Sequence, residues 1–204
     1  MRIRAFWAEG FRSLESVHLP DLGAFNERLE AELGQVPLLL ERDGARRAML
    51  GLALASEAAG LAFFGHGGED RLFDNDGAAA LDEHNLALVR DRWVHAFACR
   101  AGDHLAGPAA AAGVRCFVGY ESALNIDWTP DEIPDPIRPA FIELVTQTTL
   151  ELARGVSDGD ALRRAALGAQ ATVIAWCDEH PEQAMGLEIT AQQLVARLVV
   201  RPGS

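Results

Sequence analysis

The chain of 204 residues has no lysine: all eighteen basic residues are arginine, set against thirty acids, for a formal charge of −12. A chain this acidic lacks the electrostatic footprint needed to track nucleic-acid phosphates or an anionic membrane surface. Cysteine is scarce. Cys99, Cys116 and Cys177 are too few and too scattered for a disulfide scaffold, and no pair has metal-ligand spacing. Long apolar runs are missing too. The longest, Ala48 to Gly65, is interrupted by Ser56 and Glu57, so it reads as a helix followed by a strand and not as a membrane span. Arg2 and Arg4 have no apolar stretch behind them, which excludes a secretory-signal pattern. These absences lead us to expect a cytoplasmic protein in a reducing compartment, with neither nucleic acid nor membrane as partner. The lack of lysine is the kind of bias a GC-rich coding sequence produces, and no mechanism is attached to it.

What is present is an ordinary globular composition, with 49% apolar and 24% charged residues. The length suits one domain over residues 1–204. Helix-like and strand-like segments alternate. Arg2–Trp7 and Val36–Leu40 read as strands, Leu22–Leu33 and Ala45–Ala59 as helices. Three short, apolar runs read as strands buried on both faces: Gly60–Gly65, Trp93–Ala98 and Val114–Gly119. Helices are expected over about Ala79–Val89 and Asp103–Ala112. The alternation predicts an α/β sandwich with a mostly parallel central sheet. Thr129–Pro139, with its prolines and acids, reads as an exposed loop. Ile137–Arg154 and Asp160–His180 read as long helices, the second capped by Ser157 or Asp158. The segment from Glu188 to Val200 reads as a helix, alone or followed by an edge strand.

In such sheets reactive groups collect beyond the carboxyl ends of the strands. His66 directly follows the first buried run, in Gly65-His66-Gly67-Gly68, and Cys99 directly follows the second, in Ala98-Cys99-Arg100-Ala101-Gly102. If the two strands are neighbours, imidazole and thiol face each other. The imidazole can then take the thiol proton and later return it to a departing amine. The backbone N–H groups of Gly67 and Cys99 are candidates for an oxyanion hole. A helix starting near Asp103 would favour a thiolate at Cys99. His95, alternating with Trp93 and Phe97, reads as a packed core histidine, and Cys116 and Cys177 as core thiols. No metal set is expected; His95, Cys99 and His104 are spread too badly for zinc. Glu69, Asp70, Asp74 and Asp76 leave two readings open: a solvated hairpin, or a rim that attracts a basic peptide or a divalent ion.

The pattern of an apolar strand ending in Gly-His-Gly, then one ending in Ala-Cys-Arg-x-Gly, resembles the caspase-like cysteine peptidases, and among them the bacterial CHAT domains. Gly113-Val-Arg-Cys-Phe-Val-Gly119-Tyr120 is similar to the strand that follows their cysteine. Leu152-Ala-Arg-Gly155-Val-Ser157 with Ala161–Ala165 is similar to a later helix pair, so the resemblance covers residues 60–166. It implies a caspase-like three-layer sandwich and a cysteine endopeptidase with a His66–Cys99 dyad that needs no cofactor. It also implies a peptide bound as an extra strand along Gly119–Asp127, with Tyr120, Glu121, Ser122 and Asp127 lining the cleft. Glu121 and Asp127 would favour a basic residue before the scissile bond. A dedicated protein partner encoded nearby would be the substrate.

The chain departs from the family in two ways. His66 and Cys99 are only 33 residues apart, short of the caspase spacing, which predicts a trimmed hairpin between Gly67 and Asp91. No tryptophan-led closing strand is visible near the C-terminus. Two alternatives stay open on the sequence: a non-catalytic caspase-like module that holds a peptide without cutting it, and a thiol hydrolase of a small ester or amide.

Overall fold

The computed structural model describes residues 3–7, 22–34, 38–40, 46–55, 58–124, 133–184 and 186–203. Its centre is a six-stranded sheet built from β1 (Ile3–Trp7), β2 (Leu38–Leu40), β3 (Gly60–Phe64), β6 (Trp93–Phe97), β7 (Cys116–Tyr120) and β8 (Leu198–Pro202). The strand order is β2-β1-β3-β6-β7-β8. All pairings are parallel except that of β7 with β8, which is antiparallel. Every residue of β3, β6 and β7 is buried, as the short, mostly apolar runs predict for strands covered on both faces.

Side chains alternate between the two faces. Ala62, Phe64, Trp93, Phe97, Cys116 and Val118 enter a core completed by α1 (Leu22–Leu33), α4 (Arg138–Ala153), α5 (Gly159–Glu179) and α7 (Leu187–Ala196). Leu61, Phe63, Val94, Ala96 and Phe117 enter a second core with α2 (Arg47–Ala55) and α3 (Ala106–Ala111). The result is the expected helix–sheet–helix sandwich. Asp158 caps α5 by accepting the Ala161 N–H at 2.8 Å. A short α6 (Pro181–Ala184) joins α5 to α7.

Several expectations need correction. Ala79–Val89 is not a helix. Ala79–Asp82 is β5, paired antiparallel with β4 (Arg71–Phe73), and Leu86–Val89 is one 3₁₀ turn. Alanine's helix preference yields to strand pairing, which buries Leu72 and Leu81 in the second core. Asn85 closes the turn by accepting the Asp82 N–H and donating to the Ala80 carbonyl, both at 2.8 Å. This hairpin is the compact insert expected between Gly67 and Asp91. Of the strand expected over Val36–Leu40, the described part is β2, an edge strand rather than a buried one, with Leu38 exposed and Leu40 buried; residues 36–37 lie outside the described residues. Where it is described, the Thr129–Pro139 loop is only partly exposed: Asp135 and Pro136 face solvent, Ile133 and Ile137 are buried, and α4 begins at Arg138 with Pro139 in its first turn. The chain ends in both a helix and a strand, and β8 closes the sheet without a leading tryptophan.

Candidate active site

β3 and β6 lie side by side and in register, Phe64 opposite Phe97. Two residues beyond each, at the same level of the sheet edge, the chain reaches His66 and Cys99. The Gly65 N–H donates to the Phe97 carbonyl at 3.2 Å, so the backbones are still joined where the turns begin. Adjacent strands run about 4.8 Å apart. Gly67 then passes so close to the Cys loop that a Cβ there would strike the Cys99 carbonyl and come within 2.9 Å of the Ala98 Cβ. Only glycine fits between these two turns.

His66 is half-buried, and the loss of water around its ring lowers its pKa, so it is neutral at neutral pH and can accept a proton. The hairpin holds its turn. The Phe73 N–H donates to the His66 carbonyl at 3.0 Å and the Gly68 N–H to the Arg71 carbonyl at 2.8 Å. Cys99 is half-buried, with its sulfur against the main chain of Leu124. The Leu124 N–H donates to Sγ at 3.3 Å, and the thiol lies 3.8 Å from the Leu124 carbonyl. The backbone N–H groups of Gly67 and Cys99 donate to no described residue.

The turn after the cysteine is sharp. Arg100 has a left-handed backbone, φ 57°, uncommon for a residue with a side chain. Its N–H donates to the Ser122 carbonyl at 3.0 Å, and that of Gly102 to the Tyr120 carbonyl at 2.9 Å. The Cys loop is thereby laid across the end of β7. The crossing requires glycine on both sides: a Cβ on Gly102 would meet the Tyr120 N at 3.0 Å, and one on Gly119 would meet the Gly102 N at 2.9 Å.

The acidic cluster resolves into local pairs. Glu69 joins the two turns: one carboxylate oxygen pairs with Arg100, the other lies 3.6 Å from His104 Nε2, and its carbonyl accepts the His104 N–H at 3.2 Å. Arg100 also reaches Asp103 at 3.4 Å. Asp70 pairs with Arg71, which holds its carboxyl below the usual range. Asp76 pairs with Arg46. Asp74 is buried and accepts the N–H groups of Arg47, Asp76 and Ala78. Among the described residues no group of three or more His, Cys, Asp or Glu could hold a metal ion.

Other expected site residues fare differently. Tyr120 is only 3% exposed and packs edge-on against Phe97, so its side chain belongs to the core, not to a ligand cleft. Its strand offers no free edge either, because β8 covers Cys116–Tyr120 and the Glu121 N–H bonds onward to the Arg197 carbonyl. A peptide laid beside β7 can start only beyond that point. Glu121 is exposed and Ser122 half-exposed. Asp127 lies outside the described residues. The helix expected near Asp103 begins only at Ala106 and is six residues long, so its dipole does not reach Cys99. The main chain of Leu124 supplies the donor to sulfur instead, and no residue type signals such a contact. His95 is fully buried, with Nδ1 at 2.7 Å from Thr149 Oγ1, and burial pushes its pKa down to about 3. Cys116 and Cys177 are buried core thiols.

A mostly parallel central sheet flanked by helices on both faces matches the caspase-like fold. Among solved structures, the chain is similar to the Arg-specific cysteine proteinase gingipain R, with a TM-score of 0.56 at 12% identity. It is also similar to the complex of the Porphyromonas gingivalis RgpB pro- and mature domains, with a TM-score of 0.60 at 11% identity. The matches cover 99% of this chain but 46% and 47% of those chains, so it spans about half of their length. No protein-family model and no curated protein matches the sequence. No helix among the described residues is long and apolar enough to cross a membrane.

Proposed function

We propose that the protein is a CHAT-like cysteine endopeptidase that cleaves a protein partner after a basic residue. One observation carries the reading: His66 and Cys99 leave neighbouring parallel strands at the same level of one sheet edge. In this reading the neutral His66 ring takes the Cys99 proton, and the thiolate attacks the scissile carbonyl carbon. The negative oxygen of the tetrahedral intermediate is received by the unengaged N–H groups of Gly67 and Cys99. His66 then returns the proton to the departing amine. Water, deprotonated by the same ring, releases the second product from the thioester. Exposed Glu121, close in sequence to the segment bonded to the Cys loop, is the acid proposed to meet the basic side chain, with Asp127 further along the same segment. The arginine specificity of the gingipain neighbour is consistent with that choice.

The test is cleavage of an Arg- and Lys-containing peptide library by the wild type, Cys99→Ala and His66→Ala. Cys99→Ala is expected to be inactive, and His66→Ala to lose on the order of 10²-fold or more in rate. Equal turnover by wild type and Cys99→Ala rules out the dyad. If all three bind a cationic peptide equally and none cuts it, the protein is a peptide-holding module.

A further inference from the structure

The four residues after β7 are all held through their main-chain groups. The Glu121 N–H donates to the Arg197 carbonyl at 3.1 Å, and the Ser122 carbonyl accepts the Arg100 N–H at 3.0 Å. The Ala123 carbonyl accepts a hydrogen bond from the Arg197 guanidinium, and the Leu124 N–H donates to Cys99 Sγ at 3.3 Å. Arg197 therefore grips this segment twice, through its own carbonyl and through its side chain. It sits between α7 and β8, 98 residues from Cys99 in sequence. The guanidinium holds the Ala123 carbonyl, part of the same peptide unit as the Leu124 N–H. Fixing one end of that planar unit aims the other at the sulfur.

We propose that Arg197 is a positioning residue for the Cys99 nucleophile. By orienting the Ala123–Leu124 peptide it keeps a hydrogen-bond donor on Sγ, and a donor there stabilises negative charge on the sulfur. The closing helix and strand are thus coupled to the reactivity of a cysteine on the other side of β7. This rests on reading Cys99 as the nucleophile, but its consequence is a property of the thiol and can be measured without any substrate.

The experiment is iodoacetamide alkylation of Cys99, followed by mass spectrometry, in the wild type, Arg197→Ala and Arg197→Lys. Arg163→Ala serves as control. The Arg163 guanidinium donates to the Leu198 carbonyl at 2.9 Å, so its loss also weakens the α7–β8 region without touching residues 121–124. Losing a donor to sulfur is expected to slow alkylation of Arg197→Ala at pH 7 by roughly three- to tenfold. The deficit should close near pH 10, where an ordinary thiol is ionised with or without a donor. Arg197→Lys, which keeps a cationic donor, is expected to recover most of the rate, and Arg163→Ala to match the wild type. Unlabelled Cys116 and Cys177 in every variant report an intact core. Equal rates in Arg197→Ala and wild type at pH 7 overturn the proposal. So does faster alkylation of Arg197→Ala at both pH values, because the segment would then act only as a shield. If instead the alkylation pattern holds and no peptide is cut, the positioning role stands and the peptidase reading falls.

Discussion

Gly67 is the most tightly constrained residue of the site, since one methyl group there would collide with the Cys99 carbonyl and crowd Ala98. The only relief is to push the two turns apart, and displacements of about 1 Å at reacting atoms can cost roughly 10²-fold in rate. Gly67→Ala is therefore expected to keep its far-UV circular dichroism and lose about 100-fold in kcat/KM on a cleavable Arg peptide. A variant within a factor of three of wild type would show that the turns have room to spare. Arg100 illustrates a different trade. Its left-handed backbone costs about 1 kcal/mol. Its side chain clasps Glu69 on the opposite turn and Asp103 on its own. Glycine would remove the backbone cost but also the clasp.

At the level of elements, β6 carries both the route to Cys99 and a buried imidazole. His95 faces α4, and its only polar partner among the described residues is Thr149. In the unfolded chain a histidine titrates near 6.5, but burial holds the folded ring down to about 3. Below about pH 6.5 the unfolded chain binds a proton that the folded chain refuses, so this contribution to stability is lost as pH falls from 6.5 towards 3. By pH 4 it amounts to ~3 kcal/mol. Urea unfolding at pH 7 and pH 4 checks it. The wild type is expected to lose more stability between the two than His95→Leu does, and parallel losses would contradict the assignment. The hairpin β4–β5 works at the same scale. Its bond to the His66 carbonyl and the Glu69 clasp both bear on the turn that carries the imidazole.

For the whole molecule, charge is the property to weigh. Residues 61–130 hold ten acids against five arginines, which suggests an acidic cleft. Glu69 and Asp70 pair with Arg100 and Arg71 of the same segment, while Asp76 and Asp82 draw in Arg46 and Arg47 from outside it, so two of the five excess charges are offset locally. What remains is the long-range field of a chain carrying −12, and this is screened by salt. For an active peptidase, kcat/KM for a peptide bearing several Arg or Lys residues is expected to fall several-fold as ionic strength rises from about 20 to about 200 mM. A peptide with a single basic residue and no net charge should change little. Identical salt profiles for the two would mean that the field plays no part in substrate capture.

The sequence by itself determined the alternation of buried strands with helices, because short, mostly apolar runs such as Leu61–Phe64 between Gly60 and Gly65 read as strands covered on both faces. It also placed His66 and Cys99 at strand ends, since motif position follows directly from where an apolar run stops. The register that sets the two turns level required the sheet, because parallel pairing is made between residues far apart in sequence. The same holds for the 79–89 segment, where local alanine preference lost to pairing with Arg71–Phe73, and for Tyr120, whose burial depends on Phe97 and on β8. The donor to the Cys99 sulfur is the main-chain N–H of Leu124, in a segment held by Arg197. Main-chain groups carry no residue signature, and their aim is fixed only when α7 and β8 close the fold.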